Sequence, residues 1–141
     1  MQNEDLERIA DSLTHMVREL GADFLTTGAA LGADGDISIM TGADGEIHPN
    51  SQEGISLVVH ALREEAATGA VKACGICLDV TATLPGTTQP TDAIRILVEN
   101  PSEAFDVFLP YTILPDGGRE YAEPMEFPRT QRVFFPAPQE P

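Results

Sequence analysis

Three successive runs decide the fold: VKACGICLDVTAT (Val71–Thr83), AIRILVE (Ala93–Glu99) and FDVFLPYTIL (Phe105–Leu114). Isoleucine, valine, leucine and phenylalanine recur in them with period two, as half-buried strands require. Between the runs stand Pro85, Gly86, Pro90, Asn100, Pro101 and Ser102, residue types that turn a chain. A meandering antiparallel sheet is the expectation.

Working outward, Phe24–Leu31 and Asp36–Thr41 read as two further strands joined through Gly32-Ala33-Asp34-Gly35. Asp-Gly between β-capable runs is a hairpin signal, because glycine accepts positive φ without a Cβ clash. The motif recurs ten residues later, at Gly42 to Ile47, and is read there as the turn that leaves the hairpin. Before the hairpin, Leu6, Ile9, Leu13, Met16, Val17 and Leu20 form one helical stripe, which Asn3 can cap and Gly21 can close. A second helix follows Pro49, with Asn50 and Glu53 at capping-box spacing. Ile55, Val58, Val59, Leu62 and Ala66 make its apolar face, and Gly69 ends it.

From Pro115 the register changes. Pro115, Pro124, Pro128, Pro136, Pro138 and Pro141 leave little room for regular structure, yet Phe127, Val133, Phe134 and Phe135 are too apolar for a solvated tail. The expected fold class is therefore α+β, in the order helix-strand-strand-helix-strand-strand-strand. It has a five-stranded antiparallel sheet, both helices on one face, and an irregular C-terminal segment. Residues 1–114 form the single domain, 115–135 a proline-rich segment packed on it, and 136–141 a frayed tail.

That element order resembles, over residues 4–114 and in topology alone, the roadblock, longin and profilin-like group of small modules. The resemblance implies an adaptor, a dimerisation platform or a ligand sensor, and carries no functional residue. The group ordinarily ends in a further helix, where this chain has its prolines. Thr91–Glu99 with Phe105–Tyr111 also resembles a stretch found in small uncharacterised bacterial proteins.

The 141 residues carry 23 acidic and 8 basic side chains, a formal net charge of −15. The excess is spread along the chain. Between Arg18 and Arg63 no Lys or Arg occurs, while Glu19, Asp23, Asp34, Asp36, Asp44, Glu46 and Glu53 do. Such a field repels phosphate backbones and anionic headgroups, so neither nucleic acid nor membrane is an expected partner. No apolar run is long enough to span a bilayer and the N-terminus lacks a basic leader, which makes a cytoplasmic protein the expectation.

Chemistry is sparsely signalled. Cys74-Gly75-Ile76-Cys77 has the spacing of a dithiol redox centre. It lies in a strand, however, where residues three apart point to opposite faces and the sulfurs diverge. A bulge at Gly75 is the one local change that would bring them together. His48, His60, Cys74 and Cys77 match no familiar zinc spacing, and the two Asp-Gly turns lack the ligand order of an EF-hand. Neither a catalytic residue, a metal nor a cofactor is expected. On the sheet, Leu97, Phe108 and Tyr111 are read as one outer face too apolar to stay open, covered by the Phe127–Phe135 segment or by a second subunit.

The function expected on these grounds is a non-enzymatic, adaptor-like interaction module that forms a homodimer. Its candidate surface is Leu97, Phe108 and Tyr111 together with the acidic Asp34, Asp36, Asp44 and Glu46. One alternative is an acidic inhibitor or immunity-type protein that binds a basic partner through those carboxylates. Another is a redox protein centred on Cys74 and Cys77.

Overall fold

The computed structural model describes residues 3–42 and 47–136. Helix α1 (Glu4–Leu20) begins where the Asn3 side chain accepts from the Leu6 N–H, and Glu4, Asp5 and Glu7 face the positive end of its dipole. A 3-10 turn (Gly21–Asp23) leads into the hairpin of β1 (Thr27–Gly32) and β2 (Ile37–Thr41). Helix α2 (Gln52–Thr68) ends at Gly69, whose φ of 77° is the left-handed value that a Cβ disfavours. Its N-cap is Ser51, which accepts from the Gly54 N–H, and not Asn50. Asn50 instead reaches back across the fold. Its side chain donates to Phe24 O and accepts from Thr26 N–H, clamping α2 to the entry of β1.

The long strands β3 (Val71–Ala82), β4 (Thr91–Glu99) and β5 (Ala104–Ile113) follow. The pairings are antiparallel, and the order across the sheet is β2-β1-β3-β4-β5, with further pairing along the outer edge of β5. Pairing between β3 and β4 runs without a shift from Cys74↔Glu99 to Ala82↔Thr91, so Gly75 is no bulge. The irregularity lies instead between Leu31 and Gly32 of β1.

Two expectations are corrected. Among the described residues the sheet has seven strands, because the proline-rich segment contributes β6 (Arg119–Tyr121) and β7 (Met125–Pro128). Both lie along the outer edge of β5, β6 against Tyr111–Ile113 and β7 against Phe105–Phe108. Prolines are tolerated at such an edge, where one row of hydrogen-bonding groups needs no strand partner.

The helices also lie on opposite faces. Helix α1 packs with Ala29, Leu31, Ala73, Cys77, Ile94, Ile96, Val98, Val107 and Leu109. Helix α2 packs with Ala30, Cys74, Ile76 and Leu97. The cause is readable in β3, where Ala73 through Cys77 are all buried: a strand apolar on both faces needs cover on both. Helix α2 lies against β1, β2 and β3. Beyond it, Val133, Phe134 and Phe135 join its core and complete the layer over Leu97.

Candidate functional site

The most concentrated chemistry lies under that C-terminal segment. Arg95, Leu97 and Glu99 share one face of β4, since strand side chains alternate. Glu99 is fully buried, yet both carboxylate oxygens are occupied. Oε2 accepts from Arg129 Nη1 at 2.8 Å and from the Val133 N–H at 2.7 Å. Oε1 accepts from the N–H groups of Phe134 and Phe135 at 2.9 and 3.1 Å, and Arg132 Nε stands 3.8 Å away. Three consecutive backbone donors on one carboxylate bind the segment the way a nest binds an anion, with the charge on the receiving side.

A second carboxylate extends the network. Asp106 of β5 is held by Arg95 Nη2 and by Arg129 Nε, each at 2.8 Å. Arg129, whose side chain is 8% exposed, therefore bridges Asp106 and Glu99. Arg132 donates to Asn100 O and Arg63 of α2 donates to Val133 O. Breaking such a buried pair on one side only leaves an uncompensated charge, which costs about 3–5 kcal/mol.

The opposite face carries a smaller cluster. Tyr111 donates from its hydroxyl to Asp79 Oδ1 at 2.7 Å, and Arg119 Nη2 meets Asp79 Oδ2 at 3.2 Å. The Arg119 guanidinium lies over the Tyr111 ring, 4.3 Å from its centroid, and Tyr121 stands beside it at 5.8 Å. Burial, then the bond to Asp79, pushes the Tyr111 phenol above its ordinary value. The sequence reading put Tyr111 with Leu97 and Phe108, but its odd position puts it with Val107 and Leu109 in the α1 core. Leu97 is buried beside Phe134 and Phe135, while Phe108 is half-buried and meets Phe127 edge-on at 5.9 Å.

Cys77 lies in the α1 core and Cys74 in the α2 core, both buried and free. Burial pushes the Cys77 thiol up to about 12, and its sulfur sits 3.4 Å from Thr27 O. Burial first, then the Glu99 carboxylate, pushes Cys74 higher still. Neither sulfur is poised as a thiolate at neutral pH.

Asp34 and Asp36 stand at the β1–β2 turn, where Asp34 Oδ1 accepts from the Asp36 N–H and Gly35 takes a φ of 91°. With Ser38 and Glu65 they line an open cavity of about 540 Å³. Asp44 and Glu46 lie outside the described residues. His48 Nδ1 accepts from the Asn50 N–H, and His60 pairs with Glu64 at 3.0 Å. Among the described residues, no three of His, Cys, Asp and Glu converge so as to hold a metal ion. No helix among them is long and apolar enough to cross a membrane.

The sequence reading missed Glu99, Arg129 and Arg132. A signal was present. Arg95 and Glu99 flank Leu97 at period two, so a face that must be covered carries charges that need counter-charges. Two of the chain's eight basic residues fall at 129 and 132. Comparison with models of protein families, with curated proteins and with solved structures finds no match.

Proposed function

We propose that this chain is a non-enzymatic, adaptor-like interaction module that self-associates by pairing β2 of one copy with β2 of another. The supporting observation is the unequal treatment of the two sheet edges. The β5 edge is closed by β6 and β7, short strands carrying Pro128 and flanked by Pro124. Among the described strands, β2 pairs only with β1. Its residues Ile37 to Thr41 include no lysine and no proline, and Ile39 is 54% exposed. An unguarded edge of this kind is a template for another strand.

Antiparallel pairing about Ile39 brings two strongly acidic copies together, so salt must strengthen the contact by screening their repulsion. Sedimentation velocity at micromolar concentration is expected to give twice the 15.1 kDa chain mass, increasingly so as salt rises. Ile39→Lys sets like charges opposite each other and is expected to yield monomer. A wild-type monomer at every salt concentration defeats the reading.

The second reading, an acidic inhibitor of a basic protein, draws on Asp34, Asp36 and Glu65, which line a cavity whose walls include no Lys or Arg. Its complex has the opposite salt dependence and dissociates as ionic strength rises.

A further inference from the structure

The segment that covers Leu97 is held differently from every strand beneath it. Among the described residues, the last backbone-to-backbone bond to the sheet is Arg129 N–H to Ala104 O. Beyond it, among the described residues, the hold comes from side chains on one partner or the other: Glu99 on three successive N–H groups, Arg63 on Val133 O, and Arg132 on Asn100 O. Phe134 and Phe135 fill the space against Leu97. This is the anatomy of a bound peptide that happens to be tethered.

We infer that the groove between α2 and β4 is a peptide-recognition site, and that its partner in trans is residues 130–135 of a second copy, exchanged with the segment bound in cis. The claim goes beyond the edge-strand reading and does not depend on it, since β2 takes no part. The recognition elements fit this occupant. The floor offers a carboxylate to an incoming segment that brings Arg132 and three adjacent donors. The exchange point follows Arg129, and the six residues after it reach up to roughly 20 Å when extended. In the unmodified chain the tether holds the cis segment at an effective concentration on the order of millimolar, so the closed form dominates in dilute solution. Exchange becomes visible when one copy has lost its hold and the other its groove.

The test uses two full-length variants, both in the Ile39→Lys background so that β2 pairing cannot contribute. Phe134→Ala/Phe135→Ala keeps the groove and loses the anchors. Glu99→Ala keeps the anchors and loses the floor. By fluorescence anisotropy with an N-terminal label, the mixed pair is expected to associate at least tenfold more tightly than either variant with itself. A synthetic peptide of residues 129–135 should release it. No preferential association of the mixed pair, with both variants folded, overturns the proposal, as does association that the peptide leaves intact.

A measurement on the unsubstituted protein covers the case in which a variant fails to fold. Hydrogen exchange at the Val133, Phe134 and Phe135 amides should be at least tenfold faster than at the central amides of β3 and β4, because the segment opens without the sheet. Exchange at one common rate means that the segment is part of the cooperative core, and the inference falls.

Discussion

Cys77 illustrates how a residue can be chemically quiet and still leave a mark on stability. Folding favours its neutral thiol, so the folded chain holds that proton to about pH 12, whereas the unfolded chain releases it above 9.0. The contribution is therefore fully present below pH 9.0 and is withdrawn as pH rises toward 12, by about 1.4 kcal/mol per pH unit for such a group. Cys74 and Tyr111, both raised first by burial, act in the same direction. Denaturant midpoints should hold steady to about pH 8 and then decline, and Cys77→Ala should flatten part of that decline. An unchanged alkaline slope in the variant would show that Cys77 does not carry it. The opposed directions of the two thiols were legible from spacing alone, since three residues along a strand reverse the face. The role of Glu99 was legible only in part: its place two residues from Leu97 calls for a counter-charge, but its partners lie 30 to 36 residues away and the local pattern does not name them.

At the scale of elements, the fit of α1 against the sheet depends on small residues. Gly75 of β3 lies opposite Ala29 on one side and Val98 on the other, directly beneath Ile9 of α1. A Cβ built there would stand 2.8 Å from Ile9 Cγ2 and 2.7 Å from the Leu97 carbonyl oxygen, and the backbone atom cannot swing aside. Gly75→Ala should cost about 1–3 kcal/mol in denaturant unfolding, through strain and displacement of α1. A loss within the error of the measurement would mean that the helix yields freely. Period two found the long strands β3, β4 and β5, the Asp-Gly turn found the β1–β2 hairpin, and the 3.6 period found both helices. What those periods did not reveal is the side of the sheet each helix takes, because β3 is apolar on both faces and satisfies either arrangement. The short β6 and β7 escaped for another reason: three or four residues between prolines show no periodicity, and only the open edge of β5 makes them strands.

Across the whole molecule the two faces of the sheet are closed by unlike means. One has a single helix with a continuous aliphatic stripe. The other has a helix that stops short and a tethered segment fastened by charge. The two cysteines, one under each cover and on the same strand, make this difference measurable without any substitution. They are a pair of internal clocks. A thiol reagent that waits for exposure labels Cys74 at the pace at which the layer of α2 and the C-terminal segment opens, and Cys77 at the pace at which α1 leaves the sheet. The ratio of the two labelling rates, followed by mass spectrometry of proteolytic fragments, times the two halves of one core separately.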